Sequence, residues 1–113
     1  MSMLQKIKLK LTDEQIVKRA TKMCGWKCLG QGQHNVGYGN NVEGVGYEKD
    51  GTIIVIDETG DVSCLDDNMR QAELNKLKAR YGAEKAKTDA RKQGYNVTEK
   101  IIDGKIKIIA TEG

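Results

Sequence analysis

Phenylalanine and proline are absent from the 113-residue sequence, and tryptophan and histidine each occur once. With no Phe and only four Tyr beside Trp26, the core must be filled by Ile, Leu, Val, Met and Ala. Such a core can fold at this length, with modest reserve. No stretch approaches the ~18 apolar residues that a membrane-spanning helix requires, and the opening Met1-Ser2-Met3-Leu4-Gln5-Lys6 lacks the apolar centre of a secretory signal. The expectation is a cytoplasmic protein with no membrane partner. Three cysteines, an odd number, suit a reducing compartment better than a disulfide framework. No Pro/Ser-rich linker or break in composition divides the chain, so residues 1–113 are expected to form a single domain.

Charge is present in both signs but unevenly placed. The formal net charge is +3, with 19 Lys and Arg against 16 Asp and Glu. Residues 43–67 carry Glu43, Glu48, Asp50, Asp57, Glu58, Asp61, Asp66 and Asp67 against Lys49 alone. Residues 69–93 carry Arg70, Lys76, Lys78, Arg80, Lys85, Lys87, Arg91 and Lys92 against Glu73, Glu84 and Asp89. The molecule is electrically two-sided.

Hydrophobic periodicity then divides the chain into elements. From Lys6 to Leu11, Ile7, Leu9 and Leu11 alternate with Lys6, Lys8 and Lys10, which predicts a strand with one wet face. Thr12-Asp13-Glu14-Gln15 reads as a capping box opened by the Thr12 hydroxyl. Behind it Ile16, Val17, Ala20, Met23 and Cys24 recur at helical spacing, with Gly25 placed to end the helix. Residues 26–29 suit a short strand. The run from Gly30 to Asn41 is glycine-rich and polar, which predicts a long flexible loop, and such loops are uncommon in compact domains unless functional or disordered.

Residues 42–49 and 52–57 flank Asp50-Gly51, a pair suited to the positive φ angles of a two-residue hairpin turn. The stretch Thr52-Ile53-Ile54-Val55-Ile56 is apolar on both faces and reads as a central strand. A further strand is expected over 61–65. Asp66-Asp67-Asn68 supplies acceptors for a second helix over 69–93, which Gly94 ends. Residues 96–102 and 105–111 flank a second hairpin signal, Asp103-Gly104. The order β-α-β-β-β-α-β-β predicts an α+β fold, an antiparallel sheet with two helices on one face, loosely ferredoxin-like with an added hairpin strand.

One segment is familiar. Leu74-Asn75-Lys76-Leu77-Lys78-Ala79-Arg80-Tyr81, Ala90-Arg91-Lys92-Gln93-Gly94-Tyr95-Asn96-Val97 and Asp103-Gly104-Lys105-Ile106 resemble the C-terminal half of the hypothetical chloroplast open reading frame thirty-five family, a plastid and cyanobacterial domain of unknown function. Lys49-Asp50-Gly51-Thr52 and Val55-Ile56-Asp57 are similar to that family's central hairpin, so the resemblance spans about residues 47–109. It departs at Glu58-Thr59-Gly60, where the family tends to place aromatics, and in the glycine-rich run. The resemblance implies an accessory or adaptor role and supplies no catalytic residues.

Chemistry-bearing residues are few. Cys24, Cys28, His34 and Cys64 are the candidate zinc ligands, but the Cys-x-x-x-Cys spacing is wider than a zinc knuckle, and Cys24 also completes an apolar helix face. A cysteine nucleophile would need His34 as its base. The glycines at 30, 32, 37 and 39 precede no helix and lack the Lys-Ser/Thr ending of a phosphate-binding loop. Asp57, Glu58, Asp61, Asp66 and Asp67 lack the ligand order of an EF-hand. No metal and no cofactor are expected.

Contact surfaces remain. Tyr38 and Asn40 in the glycine-rich run, and Lys76, Arg80 and Lys87 on the basic helix, are the candidate partner-binding residues. The leading expectation is a small non-enzymatic protein-interaction module, an adaptor or inhibitor with a protein partner. The alternative is nucleic-acid binding by the basic helix 69–93, although Glu73, Glu84 and Asp89 interrupt its charge at ion-pair spacing. A zinc- or thiol-dependent site is the third reading.

Overall fold

The structure, a computed structural model, describes residues 3–65 and 68–113. Its elements are β1 (Leu4–Ile7), α1 (Glu14–Met23), β2 (Lys27–Asn35), β3 (Asn41–Lys49), β4 (Thr52–Ile56), β5 (Val62–Leu65), α2 (Asn68–Lys92), β6 (Tyr95–Ile102) and β7 (Lys105–Glu112). The α+β class holds, and the element order follows the expected one with an extra strand between the helices. Five strands form one antiparallel sheet in the order β1-β5-β4-β3-β2, and β6 and β7 form a separate hairpin. The chain leaves β1 at one edge, crosses through α1 to β2 at the other, and meanders back until β5 pairs with β1. This is not the split βαβ arrangement of a ferredoxin-like sheet, and the last hairpin stands apart instead of widening the first sheet.

The apolar stretch at 52–56 occupies the middle of that sheet, as its two-faced hydrophobicity requires. On one face Ile54 and Ile56 join Tyr47, Val62 and Cys64 beneath Val17 and Ala20 of α1, Leu74 and Leu77 of α2, and Trp26. Both helices therefore cover the same face. On the other, Val55 packs with Val36 and Leu65. Each fully buried aliphatic side chain here contributes roughly 1.5–3 kcal/mol.

Local signals explain most element ends, with small shifts. α1 is capped by Asp13 and not by Thr12: the Asp13 carboxylate accepts from the Gln15 and Ile16 amides at 3.1 and 3.3 Å and adds charge favourable to the helix dipole. Gly25, at φ 85°, ends it as expected. β1 is shorter than the alternating run: it ends at Ile7, where the Leu9 amide turns back to the Ile7 carbonyl at 3.1 Å, and Lys10 follows at φ 56°. The Leu11 amide then donates to Gly60 at 2.9 Å, which keeps Leu11 in the core. Asp66 and Asp67, expected to cap α2, lie outside the described residues. Among the described residues no helix is long and apolar enough to cross a membrane.

The largest departure is the glycine-rich run. It is not a long loop: residues up to Asn35 continue β2, β3 begins at Asn41, and only 36–40 turn. Gly30 lies opposite Gly46, and Gly32 opposite Gly44. Two successive cross-strand pairs thus carry no side chains on the back face, which lets the hairpin coil across it. A Cβ on Gly44 would lie 2.7 Å from the Ile56 carbonyl oxygen, and one on Gly46 2.7 Å from the His34 ring. The coil brings Val36 onto Val55 and Leu65, and sets Gly37 against the Leu65 side chain without room for a Cβ.

Gly44→Ala is expected to lower stability by about 2–4 kcal/mol, because the methyl meets backbone and the φ of 153° is unfavourable for alanine. Gly82→Ala, in open space on α2, is expected to raise it by about 0.5–1 kcal/mol. Urea denaturation of the two variants beside the parent protein measures both signs.

Candidate functional site

The residues nominated from sequence fall into three environments. Tyr38 stands at the tip of the β2–β3 turn, 78% exposed. Asn40 shapes that turn, its Nδ2 donating to the Gly37 carbonyl at 2.9 Å. Lys76 pairs with Glu73 at 3.5 Å, and Glu73 also accepts from Lys49 at 2.7 Å. Arg80 and Lys87 are turned inward. Arg80 donates to Glu99 of β6 at 2.6 Å and lies 3.6 Å from Glu84. Lys87 reaches Glu99 at 3.0 Å and Glu84 at 2.5 Å.

These four charges clamp the β6–β7 hairpin to α2. Arg80 first and Lys87 second hold the Glu99 carboxyl below the usual glutamate range. The hydrogen bond to Glu99 raises the Arg80 pKa. Burial works against charge on Lys87, but Glu84 and Glu99 outweigh it and raise its pKa. Two of the three cations nominated on the basic helix are thus engaged within the fold.

The sheet separates His34 from the three cysteines. Cys28 lies opposite Tyr47, and Cys64 is buried among the residues beneath the helices. His34 lies opposite Val42 on the back face, its Nε2 2.8 Å from the Gly30 carbonyl. Cys24, just past α1, is half-buried with its Sγ 3.9 Å from the Lys76 carbonyl. Burial pushes its thiol up despite Lys49 and Arg80 nearby, which works against thiolate formation. Among the described residues no three His, Cys, Asp or Glu side chains gather closely enough to hold a metal ion.

Two concave surfaces remain. α1 does not cover the whole helix-side face of β2 and β3, and a groove of about 790 Å³ runs between them and the start of the helix. Its floor is apolar, from Leu11, Val17, Val45, Tyr47 and Ile56. Glu14, Glu43, Asp57 and Glu58 border it, with Lys18 the only cation in its lining. Asp57 is compensated by Lys6 at 3.3 Å. Burial opposes ionisation of Asp57, but the Thr59 hydroxyl, the Asp61 amide and Lys6 outweigh it and lower its pKa. Glu14, Glu43 and Glu58 form no ion pair with the described residues.

The second cleft, of about 730 Å³, lies between α2 and the hairpin. Met23 and Ile101 are exposed beside it, 55% and 65% accessible, and Lys49, Lys76, Arg80 and Lys105 line it.

Neither groove was nominated from sequence. The acidic run was visible, but Glu14 lies outside it, and the floor forms only where Leu11, α1, β3 and the end of β4 come together. No protein-family model, curated protein or solved structure matches the chain.

Tyr47 is the most perturbed group in the first groove. Burial pushes its phenol up to about 12, with Cys28 and Glu14 adding to the rise and Thr21 opposing it. The folded protein therefore holds this proton above the ordinary tyrosine value of 10.0, and stability falls as pH rises from there through about 12. Tyr47→Phe should remove both that alkaline loss and the phase near 12 in an ultraviolet phenolate titration. The opposite sign holds for Glu99. Its contribution is complete above 4.5 and is lost as pH falls through its lowered folded value. Protection of residues 95–112 against hydrogen exchange, measured against the intrinsic rate that itself slows in acid, is expected to fall on acidification. In Glu99→Gln, which costs about 1–2 kcal/mol, exchange should already be fast at neutral pH.

Proposed function

We propose that this chain is a non-enzymatic protein-interaction module of the cytoplasm, an adaptor or inhibitor that seats part of its partner in the groove beside α1. The observation that carries the reading is the uncovered helix-side face of β2 and β3, whose apolar floor is bordered by three carboxylates with no ion-pair partner among the described residues. A surface of this kind favours a ligand that brings its own apolar and charged groups. Tyr38, exposed at a hairpin tip, extends the contact surface. The resemblance over residues 47–109 supports the same accessory role.

Nucleic-acid binding by the basic helix is less well supported, because Arg80 and Lys87 already bond to Glu99. Phosphate binding depends on cations free to replace counterions.

Affinity purification from the native cell, comparing the parent chain with Val45→Trp, tests the reading. Tryptophan at 45 fills the groove floor from a partly exposed position. The parent is expected to retain a stoichiometric protein, and the variant, folded by circular dichroism, to bind it at least about tenfold more weakly. A parent chain that retains no protein, or only nucleic acid, refutes the proposal.

A further inference from the structure

Resting on the groove reading above, we infer that the occupant is a basic amphipathic peptide segment, with apolar side chains flanked by lysine or arginine. The floor calls for an apolar body, since Val17, Val45 and Ile56 present methyl groups and no unpaired donor. The border calls for cations. Glu14 stands at the start of α1, Glu43 on β3 and Glu58 beyond β4, and none is neutralised within the described chain.

The spacing of these carboxylates selects the form of the ligand. A metal ion needs several oxygens converging on one point, and no such group of three occurs among the described residues. Carboxylates on three separate elements instead suit several cations carried along one apolar body. A like-charged partner would place anions against all three, which weakens its binding. Lys18, beside the same groove, is a single opposing charge and leaves the border acidic.

Fluorescence anisotropy with short synthetic peptides tests this. The probes share one leucine pattern and differ only in their flanks, which are lysine, glutamine or glutamate. The lysine probe is expected to bind at least about tenfold more tightly than the glutamine probe, with an advantage that shrinks as salt rises from about 0.05 to 0.5 M. In the double variant Glu43→Lys, Glu58→Lys, both at exposed positions, the preference should pass to the glutamate probe. Glu112→Lys, a charge reversal outside the groove lining, should leave the order of affinities unchanged.

Equal binding of the lysine and glutamate probes overturns the inference, as does an effect of Glu112→Lys as large as that of the double variant. If the native protein partner is still lost in Val45→Trp while the probes show no charge preference, the interaction module survives and the partner's chemistry is wrong. If Val45→Trp loses nothing, the groove itself is wrong and this inference falls with it.

Discussion

Because Gly30 faces Gly46 and Gly32 faces Gly44, the outer hairpin of the sheet has no side chains on its back face over two successive pairs. A side chain at Gly44 or Gly46 would meet the Ile56 carbonyl or the His34 ring, whereas Gly30 and Gly32 face open space and are favoured there by their φ angles of 87° and 157°. The hairpin coils backward in consequence, and Val36 closes over Val55 and Leu65. On the opposite face the first groove opens between the start of α1 and the parts of β2 and β3 that the helix leaves uncovered. Back-face packing depends on close backbone approach at Gly44, which meets Ile56 and Val55.

The other end of the molecule is held by charge. β6 and β7 form a two-stranded sheet none of whose residues is fully buried, and such hairpins are marginal alone in water. Arg80, Glu84, Lys87 and Glu99 join it to α2 within a region shielded from solvent: their side-chain exposures run from 8% to 24%. In that setting each charge requires its partners, since removing one leaves the rest desolvated and uncompensated. The basic helix therefore works first as a structural element, with the cations at 80 and 87 directed into the fold.

Much of this architecture was legible from local chemistry. Asp50-Gly51 and Asp103-Gly104 adopt the left-handed pairs that their turns demand, Gly25 and Gly94 end the helices, and the apolar run 52–56 takes the centre of the sheet. What local reading missed was non-local. The glycines of β2 suggest a loop until they are set opposite Gly44 and Gly46, twelve or more residues later. Arg80 and Lys87 look solvated at helical ion-pair spacing until Glu99 arrives from another element. Of the candidate site, the acidic run 43–67 announced the charge, but the apolar floor needed α1 and β3 to be placed together. His34 and the cysteines looked like a possible set by residue type alone, and the register shift between Cys28 and Gly30 puts His34 on the face opposite Cys28 and Cys64.

The two clefts are alike in size, about 790 and 730 Å³, so volume does not distinguish them. Their residual charge does. Between α2 and the hairpin, Lys49, Lys76 and Arg80 each meet a carboxylate, two of them Glu73 and the third Glu99, which leaves Lys105 as the one lining cation without an ion pair among the described residues. Beside α1, Glu14, Glu43 and Glu58 meet none among the described residues. An incoming ligand between α2 and the hairpin must compete with ion pairs already formed, whereas beside α1 it supplies partners for the three carboxylates. A formal net charge of +3 would by itself favour anionic ligands. Recognition, however, is set by the charges left uncompensated around an apolar surface, and those charges are acidic here.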